Sequence, residues 1–361
     1  MQRDRDDSDR LLAAVAAAAA DHKPLVVCGR GSKAFLCAAA VGDMLAVGDH
    51  SGVVDYRADE LVLTARAGTA LIELRRILAA QRQMLAFDPP TFAGDGSLGG
   101  ALATGLSGPG RPWSGAVRDA VLGVTLINGL AQRLKFGGQV MKNVAGYDVS
   151  RLMVGAYGTL GVLLEISVKV MPCPQYESTR VFSLDRDAAH ERVVAWARSP
   201  LPLSATCHAD ATLHVRLSGT EKGVRAAAAQ LGGEELSHAG DFWDSLRDQT
   251  HAFFRRGACY RVALPPAAAF PALDGAWLTE WGGAQRWFRP NGAAREQVEL
   301  AARRLGGYAT QFRDPDGLQQ LDKGALKYYR RLKDAFDPHA IFNRGRLFQE
   351  IGQDPREAVA S

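Results

Sequence analysis

The 361 residues are enough for one elaborate domain or two ordinary ones, and 47% hydrophobic with 23% charged residues excludes a disordered or fibrous chain. A net charge of +4 and a sequence pI of about 8.8 are mildly basic, without the clustered excess of a nucleic-acid binder. Five scattered cysteines, Cys28, Cys37, Cys173, Cys207 and Cys259, contain no CxxC pair, which argues against a disulfide framework and against an iron–sulfur cluster held by this chain.

The first element is a surface helix beginning near Ser8. Its apolar run Leu11–Ala20 is mostly alanine and reads as neither a signal peptide nor a membrane span, so the expectation is a soluble, cytoplasmic chain. Pro24–Cys28 predicts a short buried strand that delivers the chain into Gly29-Arg30-Gly31-Ser32-Lys33. That turn can aim amides, a hydroxyl and two cations at an anion, although it matches neither GxGxxG nor GxxxxGK[ST]; a simple tight turn is the alternative. Val53-Val54 and Leu61–Ala65 predict strands, and Leu71, Leu74, Ile77 and Leu78 predict one buried face of a helix beginning at Thr69.

Residues 88–165 form the centre of the chain and are unusually rich in glycine. Gly96-Ser97-Leu98-Gly99-Gly100 predicts the start of a small-residue helix with Ser97 as its N-cap, whose open amides and positive dipole end would suit a phosphate. A dinucleotide lying along this stretch is the functional reading, and a glycine-rich surface loop the bland one. Val121–Ile127 predicts a buried strand, Asn128-Gly129 a hairpin turn and Leu130–Phe136 the return strand. Asp148 caps a helix ending at Gly155. Val162, Leu164, Ile166, Val168 and Val170 alternate as the buried face of a strand.

Met171-Pro172-Cys173-Pro174 predicts a domain boundary. Beyond it, strands at Arg180–Leu184, Thr212–Leu217, Cys259–Leu264 and Trp277–Trp281 mix with helices at Arg186–Arg198, Glu221–Leu231, Phe242–Arg256 and Leu321–Phe336, an α+β texture. The basic surplus lies between Arg286 and Arg346, either a solvated helix face or a docking face for an acidic partner.

The GRGSK turn, the SLGGALAT helix start, GAVRDAVLG and AYGTLGVLLE fall in an order that resembles the FAD-binding domain of the vanillyl-alcohol oxidase and p-cresol methylhydroxylase (PCMH) superfamily. GLSGPGRPWSGAVRD, FGGQVMKNVAGYDVSRLMVGAYGTLGVL and WGGAQRW are similar to the FAD-binding subunits of bacterial glycolate dehydrogenases. The resemblance implies an α+β protein with a two-subdomain PCMH-type FAD domain at 1–175, an α+β cap at 176–335, and a segment at 336–361 that returns to the FAD domain. It implies that Gly29, Arg30, Gly31, Ser32 and Lys33 hold the pyrophosphate and that Ser97, Leu98, Gly99, Gly100 and Thr104 line diphosphate and ribose. It also sets Asp88, Pro89 and Pro90 by the flavin ring, with Gly158, Gly161 and Val162 approaching an edge of the cofactor through main chain. Ser32-Lys33 stands where covalently flavinylated relatives commonly carry histidine, so the FAD is expected to dissociate. Phe342-Asn343-Arg344-Gly345-Arg346 lacks the proline of the usual FNPGR tail, which weakens the expectation that Asn343 reaches the flavin.

The implied activity is oxidation of a small 2-hydroxy acid, glycolate to glyoxylate, in a complex with a second FAD-binding subunit and an iron–sulfur subunit. A non-catalytic flavin-bearing subunit and a stand-alone oxidase are the alternatives. The expected partners include no nucleic acid, and a peripheral place at the membrane would be reached only through other subunits. A carboxylate clamp is sought among Arg286, Arg118 and Arg289, with structural pairing the competing role for Arg286. His208-Ala209-Asp210-Ala211-Thr212-Leu213-His214 echoes the HxGDGNLH of related flavoproteins but lacks its glycines, and is read as strand with no metal.

Overall fold

Helical spacing of leucines is where the fold begins. The computed structural model describes residues 4–36, 40–92, 94, 96–139, 148–255, 257–312 and 323–347. Cys37, residues 140–147 of the FGGQVMKNVAGYDV motif, Arg256, Leu321 and the tail 348–361 lie outside them. The described residues fall into two compact units, one within 1–106, 116–172 and 315–361, the other within 107–115 and 173–314. The sequence reading sets its boundaries at 175/176 and 335/336.

In the first unit, Leu11, Val15 and Ala18 are the buried stripe of α1 (Ser8–Asp21), which ends on left-handed His22. The strand β1 (Leu25–Cys28) pairs in parallel with β2 (Asp43–Ala46). An antiparallel sheet is built from β3 (Val53–Arg57) and β4 (Val62–Arg66), with α2 (Leu71–Ala79) following. Leu71, Leu74 and Leu78 of α2 are wholly buried, each contributing about 1.5–3 kcal/mol. Next come β5 (Gln83–Leu85), α3 (Leu98–Thr104), the short α4 (Arg111–Ser114) grouped with the second unit, and α5 (Val117–Ala120). The hairpin β6 (Val121–Ile127) and β7 (Arg133–Gly137), α6 (Val149–Leu152) and β8 (Val162–Pro172) complete this part.

The sheet order is β3-β4-β8-β6-β7, with β5 on the far end of β8. The even-numbered apolar residues of β8 are buried as their alternation requires, and Ser167 on the other face is buried too, hydrogen-bonded to Thr64 at 2.8 Å. The hairpin loop is longer than a two-residue Asn-Gly turn: Asn128 Oδ1 accepts from the amides of Leu130 and Gln132, and the return strand starts at Arg133. Glycine is needed at 129 for closeness, since a Cβ there would meet Asp337 Oδ1 at 2.3 Å.

The second unit is an eight-stranded antiparallel sheet. In chain order it contains β9 (Tyr176–Ser183), α7 (Arg186–Trp196), β10 (Leu203–Ala209), β11 (Thr212–Gly219), α8 (Glu221–Leu231), β12 (Glu234–Glu235) and α9 (Ala239–Arg247). Then follow β13 (Tyr260–Ala263), β14 (Gly275–Glu280), β15 (Gln285–Pro290), α10 (Arg295–Arg304) and β16 (Tyr308–Gln311). The strand order is β12-β9-β11-β10-β14-β15-β13-β16. Helix α9 is shorter than the sequence suggests, because the chain turns at left-handed Gln249 before a separate turn at Ala252–Arg255. The glycine turn after Trp281 runs directly into β15, a strand that sequence reading does not find. Helix α10 is also new, with only Val298 and Ala302 buried to mark its inner face. The helix α11 (Lys323–Phe336) groups with the first unit.

Candidate cofactor site

The strand β1 ends at Cys28, and the next residues bend round the start of α3. Gly31 adopts φ +78°, a conformation that a side chain would strain. A Cβ at Gly29 would lie 3.2 Å from Ser97 Oγ, so the first loop and the cap of α3 touch although 68 residues separate them. Both border one cleft, whose empty space is about 820 Å³ with the open solvent at its mouth included. Gly29, Arg30, Gly31, Ser32 and Lys33 line it from one side, and Ser97, Gly99, Gly100 and Thr104 from another. Gly158 and Gly161 line it as well.

The two walls offer different chemistry. Among the described residues, no hydrogen bond engages the amides of Gly29, Gly31 or Ser32, which leaves them as donors for a ligand. At α3 the amides are used: Leu98 N donates to Thr69 O, Gly99 N to Ala67 O and Gly100 N to Ser97 Oγ. The open amides expected at this helix start are therefore occupied by protein. What Gly99 and Gly100 give instead is bare backbone surface, with Gly99 seated on Ala67, where a Cβ would come to 2.8 Å of that methyl. Thr104 turns its hydroxyl back to Gly100 O at 2.8 Å.

Other expected positions lie apart from the cleft lining. Leu98 and Val162 point into the core, 1% and 0% exposed. Asp88, in a left-handed conformation, pairs with Arg75, which also donates to Pro89 O at 2.6 Å. Pro89 and Pro90 are buried. Arg118 is exposed on α5. Arg286 is fully buried and donates to the carbonyls of Gly283, Ala269 and Ala268, with its guanidinium over Phe270. Burial and the neighbouring Arg186 pull its pKa down to about 10, so it stays charged at neutral pH. Arg289 reaches Phe253 O at 3.3 Å. His208 and His214 sit one step out of register on adjacent strands, where successive side chains take opposite faces. His208 Nε2 donates to Leu184 O, while His214 stacks on Phe242 with centroids 3.9 Å apart.

The cleft also contains residues that sequence reading misses, notably Cys28, Ala67, Tyr157 and Arg346. Tyr157 was legible only as part of AYGTLG, and Arg346 only as a second cation in the tail. Arg346 Nη1 donates to Val27 O at 3.2 Å, and its buried Nε has no partner among the described residues. Asn343 is 1% exposed: its Oδ1 accepts from Val27 N at 2.8 Å and its Nδ2 donates to Tyr157 O at 2.7 Å. Proline is thus not needed to bring the tail to β1.

With Arg30, Lys33 and Arg346 lining it and no carboxylate among its described lining residues, the cleft suits an anionic ligand with a flat, side-chain-free contact surface. These features fit FAD: amides unengaged among the described residues with cations beside them for a diphosphate, and glycine walls for rings.

Comparisons with known proteins agree. Residues 6–137 match the family described as FAD binding domain. The chain is 45% identical over 97% of its length to the glycolate oxidase subunit GlcE of Escherichia coli (strain K12), covering all of that protein. It is 30% identical to the glycolate oxidase subunit GlcD of Bacillus subtilis (strain 168), over 53% of this chain and only 40% of that one. A solved structure of alkyldihydroxyacetonephosphate synthase superposes with a TM-score of 0.65 at 14% identity, covering 93% of this chain and 75% of the other, a likeness of fold. Among the described residues no helix is long and apolar enough to cross a membrane. The end-to-end match, on a PCMH-type α+β fold, means that the chain belongs to the family of the glycolate oxidase subunit GlcE, FAD-binding flavoproteins among the oxidoreductases.

Proposed function

We propose that this chain is the FAD-bearing subunit of a glycolate (2-hydroxy acid) dehydrogenase complex, holding its FAD without a covalent bond and working beside a second flavin subunit and an iron–sulfur subunit. The observation that carries the proposal is the full-length likeness to GlcE. In this reading Gly29–Lys33 cradle the diphosphate with amides and cations, and Gly99, Gly100, Gly158 and Gly161 let the cofactor lie against main chain. Bound FAD supplies the acceptor for the hydride leaving the carbon of glycolate as its hydroxyl loses a proton, giving glyoxylate. The scattered cysteines favour onward transfer to clusters on a partner.

A second reading, a flavin subunit that does no substrate chemistry itself, is favoured by one observation: Arg286, the leading candidate clamp, binds carbonyls of its own chain. Anaerobic addition of glycolate to the purified flavoprotein separates the two. Loss of the flavin absorbance in the isolated chain supports chemistry here, loss only after partners are added supports a requirement for the complex, and no loss in either condition rejects the glycolate assignment.

A further inference from the structure

The C-terminal residues reach the cleft through a buried polar latch. Lys333 of α11 is 4% exposed, and its Nζ donates to Thr159 O at 2.7 Å, Phe342 O at 2.9 Å and Asp337 Oδ2 at 2.5 Å. Asp337, 1% exposed, accepts from Ile341 N at 2.9 Å and Phe342 N at 2.8 Å. One ion pair therefore ties the helix to the loop before β8 and shapes the turn that follows the helix. From that turn Leu25 N donates to Ile341 O at 2.6 Å, Asn343 joins Val27 to Tyr157, and Arg346 arrives beside Val27.

A buried ion pair is a poor way to gain stability over apolar packing and is best attested as a device that fixes one arrangement. Here the arrangement delivers a cation, Arg346, to the lining of the cleft, with one N–H committed to Val27 O and no partner for Nε among the described residues. Placed in that lining, a guanidinium is a charged donor for an acceptor of the cleft's ligand.

We propose that Arg346 is a cofactor-binding residue and that Lys333 and Asp337 are positioning residues that hold the tail as a clasp on the cofactor. This rests on the FAD reading above. The shared chemistry of the contact is a guanidinium donating to an acceptor of the dinucleotide, either a phosphate oxygen or a ring carbonyl or nitrogen. Loss of such a charge-assisted bond weakens binding by about ten- to hundredfold.

The test uses the full-length chain stripped of flavin and titrated with FAD, following flavin fluorescence, for wild type, Arg346→Gln, Lys333→Met and the double variant. Arg346→Gln is expected to weaken FAD binding about ten- to hundredfold while leaving the unfolding midpoint of the apoprotein unchanged. Lys333→Met should weaken FAD binding similarly, and the double variant no more than either single one, because both act through the same contact. If Lys333→Met does not fold, Lys333→Arg takes its place in the cycle.

The flavin midpoint potential separates the two acceptors, since loss of a cation at the ring lowers it and loss at a phosphate does not. Wild-type affinity in Arg346→Gln would overturn the binding role, and strictly additive losses in the double variant would overturn the positioning role. A wild-type chain that takes up no FAD would instead defeat the underlying FAD reading.

Discussion

The turns Gly29–Lys33 and Gly282–Arg286 read alike in the sequence: glycines leaving a strand, small residues, then a cation. In the first unit the turn opens on a cleft, with the amides of Gly29, Gly31 and Ser32 unengaged among the described residues. In the second it is closed. Gly282 N donates to Thr206 Oγ1, Trp281 Nε1 to Gly108 O, and Arg286 to three carbonyls. Glycine permits a bend in both places, but the segments that arrive from far along the chain decide whether donors remain for a ligand.

The sharpest way to break this comparison is Arg286→Met. It removes the partner of three carbonyls, the one at Gly283 buried, and should cost about 2–4 kcal/mol in a urea unfolding series, with FAD affinity unchanged. A loss of FAD affinity without loss of stability would mean that the closed turn serves the cofactor after all. Gly99→Ala should do the reverse of Arg286→Met in balance: its Cβ meets Ala67 at 2.8 Å, so about 1–3 kcal/mol of stability goes together with a weaker FAD titration.

Acid sharpens the contrast from the second unit. Burial first, then the nearby His251, lowers the His214 pKa from 6.5 to about 4. The folded state prefers neutral imidazole, so this contribution is present above the unfolded value and is lost as pH falls from about 6.5 toward 4. After discounting for partial exposure it is on the order of 2 kcal/mol. Unfolding midpoints of His214→Phe should fall less over that interval than those of wild type. The smallest effect is Ser97→Ala, about 1 kcal/mol from loss of the α3 cap, seen as a modest fall in the thermal midpoint.

Local signals made much of this legible. The leucines of α2, the alternation of β8 and the Ser97 cap follow from periodicity and capping chemistry alone, and the glycine turns meet at one cleft. The errors have a common cause. Leu98 sits inside a recognisable motif but faces the core, because a motif names a backbone position and the element's own period decides where its side chain goes. The amides of α3 looked open until Ala67 and Thr69 supplied carbonyls. Arg346 was out of reach because its contact with Val27 spans 319 residues, and no local pattern records such a meeting.

That long span bears on the order in which the cleft is assembled. Val27 of β1 precedes Arg346 by 319 residues, yet Ile341, Asn343 and Arg346 all bind the backbone of Leu25 or Val27. A nascent chain still lacking these residues is without the cleft's lining cation Arg346, so under the clasp proposed above its flavin affinity is expected to reach full strength only after translation has passed that residue.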